Sequence, residues 1–185
     1  WVLFVGGDNL RTGGALEHEN STNLMLRRVP SDPKFLLGGV SHEHFHAWNV
    51  KRLKPAGLLP YDYSREQYIQ ELWFAEGVTS YYGDMHMLRA GMTTPERFVQ
   101  QQGGQITGLQ SNEARRWISV DDASTKTWLT YTGGGPFTVD YYNKGQVLGF
   151  LLDLEIRGAT GGSKSLDDVL RYMFENVYKR GRGYT

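Results

Sequence analysis

Apolar and polar positions divide the 185-residue chain into a short strand-rich opening and a longer helical body. Trp1 to Val5 is one apolar run, and Ser21 to Val29 carries Leu24 and Leu26 at alternating positions, so residues 1–29 predict strands separated by glycine-rich punctuation. Pro30-Ser31-Asp32-Pro33 then starts a helix, with Asp32 as N-cap and Pro33 at the first helical position, running to about Asn49. A second helix is predicted from about Leu72 to Arg89 and is closed by Gly91. Ser64-Arg65-Glu66-Gln67 reads as a capping box that adds a turn ahead of it. Thr94-Pro95-Glu96 opens a polar third helix that reaches about Leu109. Residues 111–139, with Gly133-Gly134-Gly135-Pro136 among them, predict irregular chain. A fourth helix begins near Tyr141, and its nearly all-apolar stretch Val147–Leu154 predicts burial. Gly161-Gly162 ends it, and Ser165-Leu166-Asp167-Asp168 caps a last helix to about Tyr178. The expected class is α+β, mainly α with a small N-terminal β-sheet.

Composition narrows the function classes. Twenty basic and 20 acidic residues leave no net charge, which argues against nucleic-acid binding, since phosphate recognition needs a basic surplus. The 24 aromatics (11 Tyr, 8 Phe, 5 Trp) are enough to nucleate a packed core. With no cysteine there is no disulfide, no thiolate metal site and no cysteine nucleophile, and the compartment is left open. No run approaches the roughly 20 apolar residues of a membrane span. The chain begins without Met and inside an apolar run, so residues 1–185 are expected to be one domain excised from a longer protein.

The chemistry lies in His42-Glu43-His44-Phe45-His46, an H-E-x-x-H pattern inside a predicted helix. Residues four apart share a face, so two imidazoles can converge on one metal ion. Glu43, about 100° round the helix, can reach a water on that ion without ligating it. Imidazole pairs suit zinc, which in catalytic sites takes three protein ligands and a water. Third-ligand candidates are Glu71 and Glu76. Glu76 is preferred because Gly77 beside it admits a close backbone or substrate, whereas Glu71 lies in a polar stretch. His44, about 200° from His42, points away. His86 falls off the Glu76 face, and Trp48 and Trp73 read as core. Lys51-Arg52 reads as a solvated helix end, with a substrate carboxylate as the competing partner. Gly133–Gly135 lacks the Lys-Ser/Thr of a phosphate loop.

His42 through Arg52 (His-Glu-His-Phe-His-Ala-Trp-Asn-Val-Lys-Arg), followed by Leu72-Trp73-Phe74-Ala75-Glu76-Gly77-Val78-Thr79-Ser80-Tyr81-Tyr82, closely resembles the glycyl aminopeptidase family. The resemblance continues through Tyr141–Gly145 and Ser165–Asp168 and is weakest over 100–139. It implies a gluzincin zinc metallopeptidase with a thermolysin-like catalytic domain, normally flanked by an N-terminal β-domain and a C-terminal PDZ module. It further implies that His42, His46 and Glu76 ligate one zinc ion per chain and that Glu43 is the general base. Thermolysin-like sites often carry an aspartate one turn after the third ligand, where this chain has Ser80. Thr79, Ser80, Asn49 or a carbonyl are therefore the candidates for orienting the histidines.

Tyr142-x-Lys144-Gly145 is similar to the pattern of the aminopeptidase N group, where the tyrosine supports the oxyanion. If Asp140 caps the helix, Tyr142 also lies in its first turn, near the positive end of the dipole, with Tyr141 as the substitute. Gly14-Ala15-Leu16-Glu17-His18 resembles both the Gly-x-Met-Glu-Asn motif of aminopeptidases and the Gly-Gly-Leu-Glu-His form of the glycyl family. Glu17 is thus expected to bind a free α-amino group, with Glu19 as its competitor. The expectation is a zinc-dependent aminopeptidase acting on peptides with small N-terminal residues, Gly or Ala. A thermolysin-like endopeptidase and a non-catalytic, metal-stabilised peptide-binding domain are the alternatives.

Overall fold

The structure, a computed structural model, describes residues 2–7, 14–26, 32–130 and 138–185. Trp1, residues 27–29 of the expected second strand, Pro30-Ser31 and Gly133–Pro136 lie outside the described residues. Three strands form one sheet in the order β1-β3-β2: β1 (Val2–Gly7), β2 (Gly14–Glu17) and β3 (Ser21–Leu26). β1 runs parallel to β3 and β2 antiparallel to it, with Glu17 opposite Thr22. Alternation works as expected on the central strand, where Thr22 and Leu24 are buried. The Thr22 hydroxyl donates to the Leu16 carbonyl at 2.9 Å. β2 is the edge strand next to the helices and carries Glu17 at its end.

Asp32 caps its helix as expected, its Oδ1 accepting the Lys34 N–H at 2.9 Å. A 3₁₀ turn over Pro33–Leu36 leads into α1 (Leu37–His46). α1 stops three residues before the expected Asn49. The Ala47 and Trp48 N–H groups bond carbonyls three residues back and the Lys51 N–H one five back, so the regular ladder ends ahead of Asn49. Its side-chain amide donates to the Phe74 carbonyl at 2.9 Å and to the Thr79 hydroxyl at 3.2 Å. No helical turn forms at Ser64–Gln67. Asp62 takes the Ser64 N–H at 3.0 Å in an Asx turn, which competes with the capping box. Trp73–Val78 forms a π-helical turn that continues as α2 (Thr79–Arg89), and Gly91 beyond it has φ +68°.

Thr94 caps α3 (Pro95–Ser111). The stretch expected to be irregular holds a 3₁₀ turn, Glu113–Arg116, and two short helices, α4 (Val120–Thr125) and α5 (Thr127–Thr130). Ser119 and Asn112 supply their caps, a local signal with no apolar periodicity behind it. α6 (Tyr141–Ala159) is capped by Asp140, and α7 (Leu166–Asn176) by a complete Ser165/Asp168 capping box.

Phe45, Leu53, Val78, Tyr81, Tyr82, Phe98, Leu166 and Leu170 make the main core. Burial of Val147–Leu154 is only partial: Val147 and Gly149 are buried, but Leu151, Leu152 and Leu154 are 40–49% exposed. A helix that is apolar all round packs only the stripe its neighbours cover. Asp153, on the packed side, accepts from Tyr81 Oη, the Leu166 N–H and Arg157 Nε at 2.7, 2.7 and 2.8 Å. It thereby ties α6 to α2 and α7. No helix among the described residues is long and apolar enough to cross a membrane.

Candidate active site

α1 presents His42 and His46 one turn apart, as the spacing requires. The α1–α2 contact is close because Gly83 carries no side chain: a Cβ there would sit 3.3 Å from His42 Cα. Glu76 comes from the π turn, whose wider winding is frequent at functional sites. Gly77 beside it admits another backbone. A Cβ on Gly77 would fall 2.4 Å from Gly145 Cα, and one on Gly145 would fall 2.3 Å from the Trp73 carbonyl oxygen. The π turn and α6 therefore touch main chain to main chain. That contact fixes Glu76 against the first turn of α6, where Tyr141 and Tyr142 lie.

The three metal-ligand candidates converge. His42 Nε2 and His46 Nε2 are 3.0 Å apart and lie 3.3 and 3.1 Å from Glu76 Oε2. His46 Nδ1 donates to the Asn49 carbonyl at 2.7 Å, and His42 Nδ1 lies 3.3 Å from Ser80 Oγ, whose own proton goes to the Glu76 carbonyl at 3.0 Å. Of the candidates for orienting the rings, the Asn49 carbonyl takes His46 and Ser80 takes His42. Thr79 serves Asn49 instead, through its side-chain amide.

With both Nδ1 atoms engaged in this way, both Nε2 lone pairs face a carboxylate oxygen. Three acceptors at 3.0–3.3 Å call for a shared cation. A tetrahedral zinc with ligands at about 2.0–2.2 Å has ligand-to-ligand edges of about 3.4 Å, close to these spacings. The donor set therefore fits such an ion. Burial works against charge on Glu76, but when protons rather than a metal ion occupy the two Nε2 atoms, His42 and His46 donate to it and hold the carboxyl down at about 2. His46 is driven upward by Glu76 despite its own burial.

Glu43 is buried, and its Oε2 has no hydrogen-bond partner among the described residues. Desolvation pushes its carboxyl above the usual range, against the pull of both histidines. Tyr142, whose N–H donates to Asp140 Oδ1 at 2.8 Å, sits with its ring centroid 6.1 Å from that of His42 and stacks on Tyr141 at 4.8 Å. Glu17 reaches the cluster from β2: carboxylate oxygens of Glu17 and Glu43 and a ring nitrogen of His46 lie within 4.8 Å of one another. Glu71 stays apart from the histidines and takes the Gln70 N–H at 3.0 Å. Glu19 is exposed. His44 is exposed on the far side of α1, and His86 packs edge-on against Phe45 and Tyr82.

A family model described as M61 glycyl aminopeptidase matches residues 36–148, more than half of the chain. The chain belongs to that family. Every residue gathered at the cluster except Glu17 lies inside the matched span. Among solved structures it is similar to an aminopeptidase N family protein from Idiomarina loihiensis, at 27% identity and a TM-score of 0.88. That match covers 99% of this chain and 33% of the other, so the chain spans about a third of that protein's length. No curated protein matches it.

One feature beside the cluster was not anticipated from sequence. Lys51 Nζ lies 3.0 Å from Glu17 Oε1, both side chains half-buried. The two residues are 34 positions apart, and only the docking of β2 against the end of α1 brings them together. The π turn likewise had no signal beyond Gly77.

Proposed function

We propose that this domain is a zinc-dependent aminopeptidase acting on peptides with small N-terminal residues. The single observation that carries this reading is the convergence of His42, His46 and Glu76 beside the orphaned carboxylate oxygen of Glu43. Zinc held by the three ligands would supply Lewis acidity, polarising the scissile carbonyl and lowering the pKa of water. Glu43 takes the proton of the attacking water, for which its raised pKa suits it, and delivers it to the leaving amine. Tyr142 donates its hydroxyl to the carbonyl oxygen as negative charge gathers there. Glu17, at the end of an edge strand, accepts the substrate's free α-ammonium. The Gly or Ala preference rests on the family resemblance.

The Lys51–Glu17 ion pair supports one competing reading. A carboxylate already neutralised by a lysine is a weaker anchor for a substrate ammonium, which favours a thermolysin-like endopeptidase. The test is hydrolysis of glycine and alanine anilides and of N-acetylated peptides by the full-length protein, with and without chelator. Anilide hydrolysis that chelator abolishes, with N-acetylated peptides left intact, supports the aminopeptidase. Rapid internal cleavage of N-acetylated peptides, unaffected by Glu17→Ala, establishes the endopeptidase. Retention of all hydrolysis under chelator rejects zinc dependence.

A further inference from the structure

On the reverse face of α1, where His44 points, lies a cavity of about 510 Å³, a size that suits a small organic ligand. None of the residues gathered at the metal cluster lines it. Its floor is Phe45, Tyr82 and Leu170, all buried in the main core, and Trp48 borders it. Phe45 stacks on Tyr82 at 4.4 Å and Trp48 on Phe174 at 4.6 Å. The apolar surface is therefore held in place before any ligand arrives, which lowers the cost of binding one.

Three arginines reach this cavity, and they differ in what neutralises them. Arg89 Nη2 donates to Asp167 Oδ2 at 2.8 Å, and its guanidinium lies over the Tyr82 ring at 5.9 Å. Asp167 also accepts from Tyr82 Oη at 2.7 Å. Arg171 Nη1 donates to Asp168 Oδ1 at 2.9 Å. Arg52, partly buried, has no carboxylate partner among the described residues, and its Nη1 donates to the Ala47 carbonyl. Burial and the neighbouring Arg89 push His86 below the usual histidine range, so it adds no charge near neutral pH. The arginines and acids therefore leave one uncompensated positive charge, on a guanidinium whose remaining N–H groups form a planar fork.

Lys51 and Arg52 are adjacent in sequence yet serve different regions. Lys51 pairs with Glu17 at the rim of the cluster, whereas Arg52 lines the reverse cavity. A single unmatched guanidinium above an apolar floor selects a monoanion with an apolar body, and a carboxylate fits the fork in two parallel hydrogen bonds. A phosphate dianion would leave charge unmatched beside Asp167 and make no use of the floor. We infer that this cavity binds a carboxylate carried on an apolar or aromatic body, the carboxylate on Arg52 and the body against Trp48. The C-terminal residue of a peptide and a small arylalkanoic acid share this chemistry. The site is separate from the metal cluster, and the inference does not depend on the aminopeptidase reading above.

The test is calorimetric titration of the full-length protein with N-acetylphenylalanine, its neutral amide, phenylacetate and inorganic phosphate. The acetyl group removes the ammonium that Glu17 would hold, and each titration is run on zinc-loaded and on chelator-treated protein. N-acetylphenylalanine should bind about tenfold or more tighter than its amide, equally in both preparations, and should move the Trp48 indole N–H resonance. Arg52→Gln should erase that advantage while leaving the amide's affinity unchanged. Because Arg52 also bonds the Ala47 carbonyl, His44→Glu is the second variant: an exposed change that sets a negative charge at the border and should weaken the acid alone. Tighter binding of N-acetylphenylalanine than of phenylacetate assigns the cavity to a peptide end, and the reverse order to the small acid. Equal affinity for acid and amide, phosphate bound as tightly as the acid, or an advantage retained in either variant would overturn the inference. Binding that chelator abolishes would overturn it too, by placing the acid on the metal cluster.

Discussion

Glu76 and Glu17 are both carboxylates within reach of His46, and they are held in opposite ways. Glu76 rides on a π turn pressed main chain to main chain against α6 through Gly77 and Gly145. Glu17 ends a four-residue edge strand and is held by one partly buried ion pair to Lys51. The first arrangement leaves little freedom, because main chain packs directly on main chain. The second rests on a single side-chain contact and can exchange partners. The difference separates a rigid centre from an adjustable rim, which is what the proposed metal ligands and the proposed substrate anchor would each require.

The largest expected effect lies at the rigid centre. Glu43→Gln should retain zinc and lose about 10²–10⁴ in kcat, because the base is not a ligand. Metal analysis alongside kinetics checks this, and loss of the metal itself would make Glu43 part of the holding set. Tyr142→Phe should lower kcat by about 10²–10³ with little change in KM. A normal Tyr142→Phe beside a crippled Tyr141→Phe would move the oxyanion role one residue along α6.

Gly145→Ala tests the crossing itself. Its Cβ has no room against the Trp73 carbonyl, so the domain should lose about 1–3 kcal/mol of stability by denaturant titration and bind zinc more weakly. Gly158→Ala, with open space around it on the same helix, is the control and should cost nothing measurable. At the rim, Glu17→Ala should raise KM for free-amine substrates by about tenfold while zinc binding stays intact. A kcat loss as deep as that of Glu43→Gln would place Glu17 in the rigid centre instead.

These two regions were unequally legible in the sequence. His42, Glu43 and His46 were readable because helical spacing is a local property, and Asp32, Thr94, Asp140 and Ser165 marked helix starts by the same local logic. Gly77 announced a close approach but not its partner, since the Gly77–Gly145 contact spans 68 positions. The π turn replaces an α turn without changing the apolar pattern, and the Lys51–Glu17 pair depends on how an edge strand docks. Neither leaves a periodic trace. The expected burial of Val147–Leu154 failed for a related reason: composition says that a helix can be buried all round, while only tertiary packing says how much of it is.

The most direct test of the central claim is calorimetric titration of zinc into chelator-treated protein, comparing wild type with Glu76→Gln and Glu71→Gln. Wild type and Glu71→Gln should each bind one ion per chain with the same affinity. Glu76→Gln should lose more than the about 10–100-fold that removing an orienting partner costs. Undiminished binding by Glu76→Gln, with the loss falling on Glu71→Gln, would contradict the His42–His46–Glu76 centre.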